Sequence, residues 1–201
     1  MTDRNQAYMQ NVKIEEIPWH RLATAYGRTA DFPEYFNTVW NMADLASVET
    51  ALGEILYNIE HQGTLWHSTP FAMIFLVRAF GHAIPEIAQN ACAEYIVENL
   101  LDFFELIVDC FYDCDELEYD APVPDFSDML QEDYLWSEVY DEEEDFGRYE
   151  EGDLYPDGVF YSFWYYSYQT LFLCKPMLKE LKNTSFRAKA EAMEKILSET
   201  E

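Results

Sequence analysis

Apolar residues recur at the spacing of an α-helix along most of the chain. Residues 44–63, DLASVETALGEILYNIEHQG, show this period clearly. The apolar positions in this stretch are Leu45, Val48, Leu52, Ile55, Leu56 and Ile59. Positions three and four residues apart share one face of a helix, so the stretch predicts an amphipathic helix. Gly63 can adopt the left-handed conformation that ends many helices, and we expect the helix to end there.

Two helix starts are marked by residues that can bond to the free N–H groups of a first turn. In DFPEYFNTVWNMA, Asp31 stands at the N-cap position and Glu34 follows three residues later, which is the pattern of a capping box. In STPFAMIFLVRAFGH, Thr69 is the predicted N-cap, and Pro70 takes the first helical position, where its missing N–H costs nothing. Strand signals are scarce, so the pattern predicts an all-α fold.

A long predicted helix, from residue 84 to about residue 113, carries its charge on one side. The carboxylates at helical spacing are Glu94, Glu98, Asp102, Glu105, Asp109, Asp113 and Glu116. From Glu94 to Asp113 this stripe spans roughly 28 Å at about 1.5 Å per residue. No Lys or Arg occurs between Arg78 and Arg148 to offset the repulsion between like charges. The stripe is either a solvated face or a surface for a cationic partner.

Residues 114–158 break the helical period. The stretch is acidic, contains several Pro and Gly residues, and at about 45 residues is longer than an ordinary connection. Residues 140–153, YDEEEDFGRYEEGD, place eight carboxylates around Arg148. Aromatic residues run through the whole segment, which favours partial docking on the body of the protein.

Helical pairs of about 35 to 40 residues predict a short α-solenoid of antiparallel helical pairs, and a compact helical bundle is the alternative. We interpret residues 1–201 as a single all-α domain, with residues 114–158 as an acidic, aromatic-containing, insertion-like segment. Two further helices are expected after this segment. Their basic residues should face water or pair with nearby carboxylates.

Part of the chain resembles a known repeat family. The stretches WHRLATAYGRTADFPEYFNTVW and ILYNIEHQGTLWHSTPFAMIFLVR are similar to a group of bacterial HEAT-like repeat proteins. In that group a Trp-x-x-Leu, Ala-Tyr-Gly, Asp-x-Pro and His-Gln-Gly-Thr series recurs in this order. The resemblance covers about Pro18 to Arg78. It implies a HEAT-like fold and, because members of the group are often toxin immunity proteins, a role in toxin neutralisation; it carries over no catalytic residue.

The charge balance limits which partners the protein can have. The chain of 201 residues has 12 Lys and Arg against 39 Asp and Glu, a formal net charge of −27, and 49% of it is hydrophobic. Nucleic acid and anionic membranes need basic residues, so both are excluded as partners. We expect a cationic protein partner and a monomer when the protein is free. The N-terminus lacks the apolar run of a secretory signal, which predicts a cytoplasmic location.

The sequence contains no recognisable catalytic or metal-binding motif. Four cysteines lie in apolar surroundings without paired spacing, which predicts reduced, packed thiols. His61 and His67 flank a turn, but two histidines make no zinc site. The alternating acids from Asp141 to Asp145 fail as a calcium loop, because Phe146 and Gly152 replace the required Gly and Glu. We therefore expect no enzyme activity, no metal and no cofactor.

These observations predict an immunity protein that covers a basic active-site or substrate-binding surface of a cytoplasm-acting antibacterial toxin, of a nuclease or nucleotide-binding type. The alternatives are a DNA mimic and an acidic scaffold for protein interactions. A HEAT-like glycosylase is excluded, because such an enzyme must embrace DNA. The predicted partner-binding residues are Asp102, Glu105, Asp109, Asp113, Trp136, Tyr140, Asp141, Glu142, Glu143, Glu144, Asp145 and Tyr149.

Overall fold

The protein is predominantly helical, which confirms the all-α prediction at the level of fold class. The computed structural model describes residues 1–114, 122–150 and 155–199. In these ranges the α-helices are α1 (Asp3–Asn11), α2 (Phe32–Asn41), α3 (Leu45–Ile59), α4 (Thr69–Ala83), α5 (Ala91–Asp113), α6 (Glu142–Glu150), α7 (Asp157–Leu171), α8 (Lys175–Leu178) and α9 (Arg187–Glu199). Short 3-10 turns connect several of them, and two of these turns, Phe126–Leu130 and Glu132–Tyr134, belong to the acidic segment.

Two short β-hairpins interrupt the helices, and the periodicity did not predict them. The first pairs β1 (Ala23–Thr24) with β2 (Gly27–Arg28), and the second pairs β3 (Glu60–His61) with β4 (Thr64–Leu65). Gly63 does take a left-handed conformation, with φ of 81°. It does so in the hairpin turn beside Gln62, however, because α3 already ends at Ile59.

The two predicted helix starts are correct to within one residue but differ in chemistry. Asp31 occupies the N-cap of α2, yet its side chain makes no capping hydrogen bond, so the expected capping box with Glu34 is absent. The N-cap of α4 is Ser68 rather than Thr69. The Thr69 hydroxyl instead donates to the Ile59 carbonyl at 2.5 Å and accepts the Trp66 N–H at 2.8 Å. This hydroxyl therefore ties the end of α3 to the start of α4.

Helix α4 forms the centre of the core. Every residue from Thr69 to Val77 is buried, and α4 packs against α2, α5 and α7. Helix α3 lies against α2 and α5, while α9 lies against α5. The four cysteines are buried as free thiols, as their apolar surroundings predict. Helix α5 contacts α3, α4, α7 and α9, and the side of α5 that carries its acids is exposed to solvent.

The first described part of the acidic segment docks on this core through aromatic side chains. The Phe126 ring is fully buried and lies 5.0 Å from the Phe71 ring and 4.7 Å from the Tyr166 ring, measured between centroids. Asn5 in α1 accepts the Phe126 N–H at 3.0 Å. The predicted partial docking of the segment is thus confirmed at Phe126, whereas Tyr140 and Phe146 are exposed.

A buried histidine also holds this segment. His67 is completely buried, and its Nε2 lies 2.8 Å from the Met129 carbonyl oxygen, which fixes Nε2 as the donor. Its Nδ1 is 3.4 Å from the Tyr155 hydroxyl. Burial lowers the pKa of His67 to about 4, although the bond to Met129 acts in the opposite direction. The folded protein therefore holds this ring neutral.

We predict that His67 makes the protein less stable in mild acid. Below pH 6.5 the His67 ring is protonated in the unfolded chain but stays neutral in the folded chain. The free energy of unfolding therefore falls as the pH drops from 7 to 4. The pKa difference corresponds to about 3 kcal/mol. His67→Gln keeps an N–H donor for Met129 and cannot titrate. In urea titrations at pH 7 and pH 4, the wild type should lose about 3 kcal/mol more than this variant. Equal losses would show that His67 is not the titrating group.

Candidate protein-binding surface

The carboxylates of α5 form one exposed stripe, which we call the α5 stripe. It consists of Glu94, Glu98, Asp102, Glu105, Asp109 and Asp113, all of them exposed. Ile96, Val97 and Leu100, which face the other way, are fully buried. The predicted one-sided arrangement of this helix is therefore confirmed over its described residues. Glu116, the last predicted member, lies outside the described residues.

Within the described part of the chain, one member of the α5 stripe has a cationic partner. Lys189 in α9 donates to Asp102 at 2.5 Å, and both side chains are exposed. Three other C-terminal cations pair within their own region, Lys182 with Glu194, Arg187 with Glu191 and Lys195 with Glu199. These four cations pair with nearby carboxylates, as expected, yet most of the stripe has no counter-charge among the described residues.

Helix α3 extends the acidic surface along one side of α5. Burial and then the charge of Asp44 raise the pKa of Cys92 near the start of α5. Burial and then the charge of Glu60 raise the pKa of Cys110 near its end. The Asn90 side chain before α5 also donates to the Met42 carbonyl before α3 at 3.2 Å, and Gly63 and Thr64 after α3 line one cavity with Cys110 and Asp113. The two helices therefore run in the same direction. The carboxylates of Asp44 and Glu60 add to the field of the α5 stripe instead of opposing it.

The acidic segment is held to the body by arginines from the first 28 residues. Arg4 in α1 donates to Asp125 at 2.6 Å. The Arg21 side chain is 10% exposed and donates to both carboxylate oxygens of Glu132, at 2.6 and 2.8 Å. Such a two-point contact between a guanidinium and a carboxylate is directional as well as charged. The negative charge of residues 122–138 is thus partly neutralised from within the molecule.

Asp145 makes the most extensive of these internal contacts. The sequence predicted that Asp145 faces a partner, but in this structure its side chain is buried. The residue is only 2% exposed and forms an ion pair with Arg28. The Ser137 hydroxyl and N–H also donate to it, at 2.8 and 3.1 Å. Burial acts to raise the pKa of Asp145, but the bonds from Arg28 and Ser137 outweigh it and hold that pKa below its ordinary value. Asp145 is therefore a buried anchor for α6.

Trp136 and Tyr140, the two predicted aromatic contacts in the described segment, are placed differently from each other. The Trp136 indole N–H donates to the Tyr155 hydroxyl at 2.7 Å, and its carbonyl accepts from Arg21 at 2.7 Å. Trp136 is half-buried and helps to dock the segment. Tyr140 is 62% exposed, and the Arg28 guanidinium carbon lies 5.1 Å from its ring centroid. Only Tyr140 presents most of its ring to solvent.

Three further predicted acids at the start of α6 lie outside this buried cluster. Asp141 is exposed and accepts the Glu144 N–H at 3.0 Å, so it caps the first turn of α6. Glu143 and Glu144 are exposed. The side chains of Glu142 and Tyr149 lie outside the described part. The structure therefore separates two groups of exposed predicted residues, one on α5 and one at the start of α6.

One exposed aromatic cluster was missed in the sequence. Tyr26, in the turn of the first hairpin, stacks on Tyr57 of α3 with ring centroids 4.7 Å apart and planes within 4°. Tyr26 is 52% exposed and Tyr57 is 59% exposed. His61 lies against both rings. The sequence contains one signal for this cluster. Tyr57 falls on the solvent side of α3, away from the apolar face that the periodicity predicts.

In chemical terms the described surface offers carboxylates and aromatic rings. Over residues 1–114, 122–150 and 155–199, no three His, Cys, Asp or Glu side chains are grouped as a metal ion would require. In the same ranges, none of the helices has both the length and the apolar character needed to cross a membrane. The arrangement is suited to binding a cationic surface.

Comparisons with protein-family models, with curated proteins and with solved structures give no match to this chain. The resemblance to HEAT-like repeat proteins therefore stays a prediction. Interpretation of the function depends on the surface itself.

We predict that Asp145→Asn destabilises the protein by about 3 kcal/mol at neutral pH, because it leaves the Arg28 charge buried without its partner. The pKa of Asp145 is lowered in the folded state, so its contribution is complete above the ordinary pKa of an aspartate and is lost as the pH falls through the folded value. The gap between wild type and variant should narrow in acid. Urea titrations over a pH series measure both effects.

A matched control for this variant is Glu143→Gln, which removes one charge from the exposed surface of the same helix. It should change the unfolding free energy by less than about 0.5 kcal/mol. Similar losses for the two variants would contradict the assigned role of the Asp145 ion pair.

Proposed function

We propose that the protein is an immunity protein, which binds a cationic antibacterial toxin in the cytoplasm and neutralises it. The observation that carries this proposal is the α5 stripe, in which six exposed carboxylates share the single described counter-charge of Lys189. A surface that serves only for solubility normally mixes both signs of charge. A toxin that acts on nucleic acid or nucleotides has a basic cleft for phosphates, and this stripe is complementary to such a cleft.

The physical advantage of the stripe lies first in the speed of association. A one-signed surface steers an oppositely charged protein during diffusion and raises the association rate constant by about 10- to 1,000-fold. The acids of α3 near both ends of α5 strengthen this field. Charges far from the contact are screened over about 8 Å at physiological ionic strength, so the effect should weaken as salt is added.

We also infer a HEAT-like arrangement of the helices. Two consecutive helical pairs support it, α2 with α3 and α4 with α5. Helix α4 contacts α2 and α7 on one side of this arrangement, and α5 contacts α3 and α9 on the other. In this arrangement α3, α5 and α9 form one outer layer, and the α5 stripe lies in the middle of it.

The structure favours α5 over α6 as the main contact surface. The acidic segment is already paired with Arg4, Arg21 and Arg28, and its most buried acid, Asp145, is not available to a partner in this arrangement. Tyr140, Asp141, Glu143 and Glu144 remain exposed and form a second, smaller candidate surface. Reversing charge separately on the two surfaces distinguishes them.

We predict that a triple variant of the α5 stripe no longer captures the natural partner. In this variant Lys replaces Glu98, Glu105 and Asp109. Immobilised wild-type protein should retain one basic protein from a lysate of the native cell at low salt and release it at high salt. The retained protein should arrest growth when it is expressed alone in the cytoplasm, and co-expression of the wild type should restore growth. The triple variant should fail in both measurements.

Two controls carry the same change in net charge, from −27 to −21, because each also has three acids replaced by Lys. The first control tests the acidic segment and replaces Asp133, Glu143 and Glu144. The second control tests exposed acids elsewhere and replaces Asp3, Glu15 and Glu34. The last variant should keep the partner. Capture that is equally impaired in all three would mean that only total charge matters. Capture of many DNA-binding proteins would favour a DNA mimic instead, and a retained partner without toxicity would favour a scaffold.

A further inference from the structure

Tyr26 and Tyr57 form an exposed aromatic platform at the end of α3. Their rings are nearly parallel and stacked, with centroids 4.7 Å apart, and each residue exposes more than half of its surface. The Tyr26 hydroxyl lies 3.0 Å from Nδ1 of His61, which adds an edge-on ring to the cluster. Large rings stacked on each other in solvent bury less apolar area than they would in the core. More than half of the surface of each tyrosine is therefore accessible to another group.

The backbone around the first hairpin holds the platform rigidly. The Ala25 N–H donates to the Asn58 carbonyl at 3.1 Å, and the Thr24 hydroxyl donates to the Asn58 side-chain oxygen at 3.3 Å. The same hydroxyl accepts the Tyr26 N–H at 3.1 Å. Gly27, with φ of 140°, completes a turn that a residue with a side chain would not easily adopt. Tyr26 is thus fixed to the end of α3 before any partner arrives.

An exposed carboxylate lies beside the platform on α3. Glu54 precedes Tyr57 by three residues, which places the two side chains on neighbouring positions of the helical surface. Glu60 lies just beyond the end of α3, where its carboxylate accepts the Gly63 N–H at 2.8 Å. Among the residues that the structure describes, no Lys or Arg pairs with Glu54 or Glu60. Aromatic faces with nearby uncompensated carboxylates attract cations, and the net charge of −27 acts in the same direction.

We propose that this platform binds an arginine side chain of a basic partner protein, with the guanidinium stacked on a tyrosine face and bonded to Glu54. The assignment rests on the proposed binding of a cationic protein and specifies a contact for it. Arginine fits better than lysine, because its planar group can stack on a ring and donate two parallel hydrogen bonds to a carboxylate. An ammonium group is more strongly hydrated and has no flat face.

A second exposed aromatic pair shows why ring exposure alone is not sufficient. Trp40 stacks on His82 with centroids 4.0 Å apart and is 46% exposed, close to the exposure of Tyr26. Trp40 lines a surface cavity of about 300 Å³ together with Arg78. The Arg78 guanidinium repels a second cation at that place. Trp40 is therefore a matched control, similar in size and exposure but beside the opposite charge.

The test compares peptides of six arginines and of six lysines, which carry equal charge and report on stacking separately from steering. Fluorescence anisotropy of labelled peptides gives both dissociation constants. The wild type should prefer the arginine peptide, and Tyr57→Ala should reduce this preference by about two- to fivefold, the range expected for one exposed contact between a cation and a ring. Tyr26→Ala should act in the same direction. Trp40→Ala should keep the wild-type preference.

Each outcome bears on the platform and on the proposed function separately. An unchanged preference in Tyr57→Ala, or an equal loss in Trp40→Ala, would overturn the platform while leaving the electrostatic binding by α5 intact. Binding of neither peptide at low salt would overturn both proposals. Circular dichroism and thermal unfolding show whether the variants keep the fold, and because Tyr57 is exposed, its truncation should leave the melting temperature nearly unchanged. The stripe variant with Glu98, Glu105 and Asp109 replaced by Lys should weaken both peptides alike.

Discussion

The few positive charges of this chain decide how its many negative charges are used. With 12 Lys and Arg for 39 Asp and Glu, most carboxylates must remain without a partner. Arg4, Arg21 and Arg28 are concentrated on the acidic segment, where they form contacts with Asp125, Glu132 and Asp145. A segment with this much like charge would otherwise be driven away from the body by repulsion. Its docking therefore depends on these three arginines together with the aromatic residues that pack beneath it.

The same distribution of positive charges explains why most carboxylates of the α5 stripe have no cationic partner among the described residues. Lys189 is the described cation that reaches it, and the stripe extends well beyond the range of one side chain on either side of Asp102. Since α5 buries its opposite face against α3, α4 and α7, the helix cannot turn its acids away from solvent. Core packing thus fixes the orientation of the stripe, and the placement of the arginines elsewhere leaves it charged.

Much of this could be predicted from the sequence, because it depends on local periodicity. The course of α3 and α4, and the one-sided charge of α5, follow from apolar residues three and four positions apart. The predicted start of the long helix at residue 84 is wrong, because a 3-10 turn occupies Ile84–Glu86 and α5 begins only at Ala91. The two hairpins could not be predicted, since each strand has only two residues and gives no alternating pattern. The contact of Arg28 with Asp145 joins residues 117 positions apart, and only the folded chain brings them together. The stacking of Tyr26 on Tyr57 depends on the first hairpin and was missed for the same reason.

In the proposed function, the rate of association with the partner and the rate of dissociation from it depend on different parts of one surface layer. Charges that act over several ångströms of water raise the rate of encounter, but they lose much of their effect at physiological salt and contribute little once the contact is solvated. Rings held in place before binding lose little conformational entropy on contact, so they lower the rate of dissociation instead. The α5 stripe has the first property and the platform of Tyr26 and Tyr57 has the second. In the proposed function a basic partner guided by the stripe would reach the platform, because Gly63 and Thr64 of the second hairpin line one cavity with Cys110 and Asp113 of α5, and His61 of that hairpin lies against both rings.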